Sequence, residues 1–275
     1  MIYIYLNKMK IIQLTDIHLN ENKKIKGSNP IVRFKKAINH ILLKHSDADK
    51  IVITGDLTNG GKIAYYEKLK NILINKLKTS KNFFPHLIIG NHDNRKNFKK
   101  VFKKTKVDKN GFIQYVIKTK VGDLIFLDTN LDGRAEGHYC TKRQKWLINQ
   151  LSISKNSNNN VYLFMHHNLM FLDGWGLINC DLLQKNEFKK ILIEYKKIIK
   201  HIFFGHCHLN LSGTYVEIPF SAPNSTNHAT TPNFKKDGTT FFSPAVSPNY
   251  NVIKINKDNL IVYTENFLIP DNPVA

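Results

Sequence analysis

Five times along this chain a short apolar run gives way to side chains that carry oxygen or nitrogen lone pairs. Residues 11–14 lead into Asp16-Ile17-His18, and residues 51–54 into Gly55-Asp56. Residues 87–89 lead into Gly90-Asn91-His92-Asp93, residues 161–165 run up to His166-His167, and residues 202–204 lead into Gly205-His206-Cys207-His208. Carboxylate, amide and imidazole together make a mixed donor set that suits borderline divalent ions. Each piece alone has an ordinary explanation. Gly-Asp commonly caps the next helix, and Gly-Asn-His-Asp reads as a turn because Gly and Asn tolerate left-handed backbone. An Asp-x-His is frequent in loops, a double histidine can be a satisfied core pair, and Cys207 reads as packing between two outward histidines. Five such pieces in succession, each at the end of a buried run, are not explained by packing alone.

The elements that must deliver these groups are legible from periodicity. The five runs are rich in Ile, Val, Leu and Phe and read as buried strands. Between them lie helical periods: Ile31, Phe34, Ile38, Ile41 and Leu42 behind Pro30, then Ile63, Tyr66, Leu69, Leu73 and Leu77. Thr141 with Gln144 suggests a capping box opening a helix that buries Trp146, Leu147 and Leu151. Phe188, Leu192 and Tyr195 mark a fourth helix. Alternating strand and helix predicts an α/β fold. In such sheets ligands bind beyond the carboxyl ends of the strands, which here form one rim. Residues 112–118 and 124–128 read as strands about a turn at 121–123. Residues 214–268 show strand-like runs without a helix and predict a second, more antiparallel sheet packed on the first. Residues 155–160 and 221–240 read as surface loops.

A chain of 275 residues, 42 % hydrophobic, can bury a large core, and no apolar run approaches the length of about 20 residues that spans a bilayer. Residues 1–8 are too short for a signal peptide and read as an extension. The three cysteines have no paired spacing, so the expected compartment is the cytoplasm. The net charge of +20 raises the question of nucleic acid. All but four of the 41 basic residues are lysine, a flexible point charge rather than a reader of bases. No aromatic–basic stacking segment accompanies them. A solvated lysine surface is therefore favoured over a basic field that attracts anionic substrates, nucleic acid is not the favoured partner, and no membrane partner is expected.

The ordered set D-x-H, G-D, G-N-H-D, H-H and G-H-x-H resembles the calcineurin-like metallophosphoesterases over residues 16–208. Asp128-Thr129, Gly137, Gln144-Lys145-Trp146-Leu147, Met165-His166-His167 and Ile218-Pro219 narrow the resemblance to the class III cyclic nucleotide phosphodiesterases and bacterial glycerophosphodiesterases. Asn168-Leu169 departs from it, where relatives often carry two prolines, and this bears on the loop that faces substrate. The resemblance implies a four-layer α/β/β/α sandwich, two mixed sheets flanked by helices, as a single domain over residues 9–268. It implies two divalent ions (Fe, Mn, Zn or Co), one on Asp16, His18 and His208, the other on Asn91, His166 and His206, with Asp56 bridging them. It implies a small phosphodiester as substrate, 3′,5′-cyclic nucleotides such as cyclic AMP first, attacked by a hydroxide held between the ions. His92 then acts at the leaving oxygen. Asp93 is expected to orient His92 or a water, His167 to stand behind the ligands or face substrate, and His138 to reach the mouth. A glycerophosphodiesterase, a 2′,3′-cyclic phosphodiesterase or nuclease, and a non-catalytic module on the same fold are the alternatives. Homodimerisation is implied by the resemblance alone.

Overall fold

The computed structural model describes residues 8–77, 84–175, 180–235, 241–243 and 246–268. Most of the proposed N-terminal extension, and residues 236–240 of the second loop, lie outside them. The first half alternates as the periodicity requires: β1 (Met9–Leu14), α1 (Pro30–Lys44), β2 (Lys50–Thr54), α2 (Ile63–Leu77), β3 (His86–Ile88) and α3 (Arg95–Val101). A hairpin, β4 (Tyr115–Thr119) and β5 (Gly122–Phe126), leads to α4 (Thr141–Asn156), β6 (Val161–Phe164), α5 (Lys185–Tyr195) and β7 (Ile199–Phe203). The remainder is β8 (Leu211–Tyr215), β9 (Ile218–Ala222), β10 (Thr230–Thr231), β11 (Phe241–Phe242), β12 (Asn249–Ile255) and β13 (Leu260–Asn266). Among the described residues no helix is long and apolar enough to cross a membrane.

Two mixed sheets form, in the orders β13-β12-β1-β2-β3 and β4-β5-β6-β7-β9-β8. This corrects two expectations. The C-terminal strands are not a sheet of their own: β12 pairs antiparallel with β1 and β13 with β12, while β8 and β9 close the edge of the other sheet. The five ligand-bearing strands are likewise split, three parallel in one sheet (β1, β2, β3) and two parallel in the other (β6, β7). Their rim is shared by two sheets. A strand buried on both faces carries no alternation to say which partner it takes.

The helices flank this pair of sheets. Phe34, Ile38, Ile41, Leu69 and Leu73 from α1 and α2 pack with Ile12, Leu14, Ile51 and Ile53 in one core that also takes Leu124, Phe126, Phe164 and Phe203 from the second sheet. The alternate residues Ile125, Leu163 and Ile202 face a second core with Leu147, Leu151, Phe188 and Leu192 of α4 and α5. Period two along β5, β6 and β7 thus places each sheet-two residue in one core or the other. Rings stack across this sheet, Tyr115 on Phe126, Phe126 on Phe164 and Phe164 on Phe203, at 4.7, 5.1 and 4.8 Å. A buried amide ties the sheets together: Gln13 Nε2 donates to Phe204 O at 2.9 Å.

Asn29 caps α1, accepting from the amides of Ile31 and Val32 ahead of Pro30. The capping box at Thr141 does not form. Cys140 occupies the cap without a side-chain bond, Gln144 Nε2 donates to Tyr139 O, and Arg143 is the buried polar residue of that turn.

Candidate metal centre

Where three of the five strands end, β1, β2 and β7, the chain adopts backbone that side chains rarely take. Asp16, His18, Asp56, His206 and His208 all have φ between 47° and 67°. Left-handed backbone costs a non-glycine residue about 1–2 kcal/mol, and such positions persist only where surrounding contacts dictate them. Those contacts are present. The amides of Asp16 and His18 donate to the carbonyls of Gly55 and Asp56 at 3.1 and 2.9 Å. Ser225 and Thr226 hydroxyls donate to Asp16 O and Thr15 O, both at 2.8 Å. The stretch expected to be a surface loop is therefore buried at residues 224–227 and braces the site from behind.

Asp16, His18, Asp56 and His208 bring their donor atoms within 4.8 Å of one another, and so do His166, His167 and His206. The imidazoles are oriented by backbone carbonyls, which can only accept. His166 Nδ1 donates to Thr54 O (2.8 Å), His208 Nδ1 to His228 O (2.9 Å) and His206 Nε2 to Cys180 O (3.1 Å). In the neutral rings the opposite nitrogens are then bare lone pairs. They face other acceptors. His208 Nε2 lies 3.2 Å from Asp16 Oδ1 and 3.1 Å from His18 Nε2. His166 Nε2 lies 3.0 Å from Asn91 Oδ1 and 3.4 Å from Asp56 Oδ1. Acceptors gathered this closely require positive charge between them, and this donor set fits divalent ions.

Asp56 stands between the groups. Its Oδ1 faces His166, while its Oδ2 is 3.6 Å from His18 Nε2 and 3.9 Å from His92 Nε2. Burial pushes its carboxyl up, whereas the Asp16 carboxyl, also opposed by burial, is held well below the usual range by His208 and its neighbours. Space does not allow a side chain at Gly90, where a Cβ would lie 2.2 Å from Asp56 Oδ1 and 2.6 Å from His166 Nε2.

The remaining residues take definite places. The His92 side chain is 44 % exposed, its ring 4.8 Å from that of His18, and its amide donates to Asp56 Oδ1. Asp93 does not engage His92. Its carboxylate accepts from the amides of Leu57, Thr58 and Gly90 and from the hydroxyls of Thr58 and Tyr66, so it straps the β2 loop to the β3 loop. Burial, then the Asp56 charge, push its carboxyl up to about 6. His167 is fully buried beside His166 and His206, its Nδ1 paired with Thr129 Oγ1 at 2.7 Å, and is not in a position to meet substrate from solvent. His138 Nδ1 accepts from Arg143. His228 was not anticipated. Its ring stands 4.3 Å from His208 and 5.5 Å from His18, but a lone histidine in a Ser/Thr-rich stretch carries no spacing signal.

A family model described as calcineurin-like phosphoesterase matches residues 9–210. The chain belongs to this family. As a calcineurin-like phosphoesterase it is an enzyme, a hydrolase of phosphate esters. It is 27 % identical over 274 residues to a probable cyclic nucleotide phosphodiesterase of Rhodopseudomonas palustris, covering 97 % of this chain and 95 % of that one. It is 25 % identical over 255 residues to a probable glycerophosphodiester phosphodiesterase of Arcobacter nitrofigilis, covering 88 % of each. Among solved structures it shares its fold with a dimetal phosphatase of Danio rerio, at a TM-score of 0.71 and 10 % identity over 94 % of this chain and 96 % of that one.

Proposed function

We propose that this phosphoesterase hydrolyses a small phosphodiester, with 3′,5′-cyclic nucleotides such as cyclic AMP its first candidates. The observation that carries the reading is Asp56, whose two carboxylate oxygens face two separate sets of donors. Asp16, His18 and His208 would hold one divalent ion, and Asn91, His166 and His206 the other, with Asp56 shared. When bound, the two ions supply positive charge at the phosphoryl oxygens and a nucleophile at neutral pH. Fe, Mn, Zn and Co all suit the donors. The backbone carbonyls of Thr54, Cys180 and His228 keep the rings in the tautomers this requires. His92, exposed above Asp56, places its Nε2 where a leaving alkoxide needs a proton. Residues 9–268 act in this reading as one domain.

The similarity to the Arcobacter protein favours glycerophosphodiesters as a second reading on the same site. A hydrolysis panel with metal-reconstituted protein separates them: cyclic AMP, 2′,3′-cyclic AMP, a glycerophosphodiester, a phosphomonoester and single-stranded DNA. The highest kcat/KM is expected on cyclic AMP. A preference for the monoester would overturn the diesterase reading.

A further inference from the structure

An aromatic rim borders the site on the His206 side. The Trp175 ring centroid lies 5.0 Å from that of His206, with the planes at 71°. Trp175 is only half-buried, and it lies in the segment that leaves β6 through His166 and His167. This loop is fastened to the segment beyond β10: Asn233 N donates to Gly174 O at 2.7 Å. The Phe234 ring lies across Gly174, so close that a Cβ there would sit 2.8 Å from Phe234 Cε1, and Gly174 has φ +83°. Phe234 is nonetheless 72 % exposed, and Phe171 in the same loop is 57 % exposed. Holding metal requires none of these rings, and a core would withdraw them from water. Exposed aromatic surface of this kind, adjoining a polar centre, marks a place where a ligand is met.

We propose that Trp175 and Phe234 form a wall on which an aromatic ring of the substrate stacks, so that the enzyme selects diesters of nucleosides over those of glycerol. The proposal rests on the phosphodiesterase reading above and names its substrate class. A phosphate at the donors beside His206 leaves its nucleobase one sugar away, within reach of this rim. A glycerophosphodiester presents only hydroxyls there and gains nothing from an indole face. Stacking on an aromatic side chain tolerates any base, because every base has a π-face, so the wall discriminates base from no base.

The test compares two esters with the same scissile bond, cyclic AMP and ribose 3′,5′-cyclic phosphate, on the metal-loaded full chain. The wild type should show the lower KM for cyclic AMP. Trp175→Ala should raise that KM about tenfold while leaving kcat and the KM of the base-free ester unchanged. Trp175→Phe should restore most of the difference, and Phe234→Ala should show the same pattern more weakly. Equal wild-type KM values, or a Trp175→Ala loss shared equally by both esters, would overturn the wall and leave the diesterase reading standing. If no diester on the panel is cleaved, the diesterase reading fails and binding alone decides the wall. The chain has two tryptophans, so Trp146→Phe makes Trp175 the sole source of tryptophan emission. Adenosine monophosphate should quench it and ribose 5-phosphate should not; no quenching by the nucleotide would overturn the proposal.

Discussion

At the scale of single residues, Asn91 and His92 divide two tasks between neighbours. Asn91 turns its Oδ1 to His166, inside the site, whereas His92 is 44 % exposed and reaches Asp56 only at 3.9 Å. A group that protonates a departing alkoxide contributes about 10²–10⁴-fold. His92→Ala should therefore lower kcat by that order on cyclic AMP and leave metal content intact. The loss should shrink on nitrophenyl esters, whose leaving groups need no proton. Metal analysis and a leaving-group series check it together; a variant that loses metal, or slows every ester alike, would refute the role. Asp93 is the opposite case. Its place in the sequence beside His92 suggests a shared task, yet its carboxylate accepts from the β2 loop, Tyr66 and Gly90.

Among the elements, what was legible followed from burial. The runs that become β1, β2, β3, β6 and β7 are apolar on both faces, so their existence could be read but not their sheet. The helix α3 has only Phe98 and Val101 buried among seven residues, too few to set a period. The 224–227 stretch is polar and so reads as surface, although Ser225 and Thr226 spend their hydroxyls on buried backbone carbonyls. Strand β7 also carries a titratable residue inward. His201 is buried, stacked 4.3 Å from Phe203 and paired with Ser221 Oγ at 2.9 Å, and burial lowers its pKa to about 4. The unfolded ring takes a proton near pH 6.5, so the unfolded state binds protons first as pH falls. Stability is therefore complete above pH 6.5 and declines down to about pH 4, by roughly 3 kcal/mol from this residue. His201→Gln, which keeps a partner for Ser221, should flatten that part of a denaturation series taken between pH 7 and 4. An unchanged slope would mean that His201 titrates normally.

For the whole molecule, the site is a seam. Three of its strands belong to one sheet and two to the other, and polar bonds such as Gln13 Nε2 to Phe204 O, His166 Nδ1 to Thr54 O, the His206 amide to Asp16 Oδ2 and Asn130 Nδ2 to Gly90 O cross it. Ions bound there would fasten the two halves, and whatever binds the folded state alone stabilises it, by about 2.7 kcal/mol at a hundred times Kd. For a chain of this size that is roughly 5–10 °C. Scanning calorimetry should show such a fall on chelation, and Asp56→Asn should melt at the same temperature with or without chelator. Identical melting of loaded and stripped wild type would contradict this. The lysine excess is a separate property of the whole surface. If it only solvates the protein, KM for a small diester should change little between about 50 and 200 mM salt, whereas six to ten phosphate contacts with nucleic acid would lose about 10³–10⁵ in affinity. Filter binding of single-stranded DNA over that range distinguishes the two.

The left-handed backbone at Asp16, His18, Asp56, His206 and His208 has an evolutionary reading. Left-handed backbone is uncommon even for aspartate and histidine, and glycine, or asparagine at the histidine positions, would adopt the same turn more readily. A lineage that no longer needed catalysis would find relaxing substitutions close at hand, since each would recover part of about 1–2 kcal/mol. If these residues hold metal as proposed, five unrelaxed positions in one chain are what selection for chemistry against robustness would leave. His18→Asn makes the conflict measurable. In chelator it should unfold at higher denaturant than the wild type, and in metal the order should reverse. A variant that is weaker in both conditions would show that the histidine ring, and not the turn, dominates the local stability.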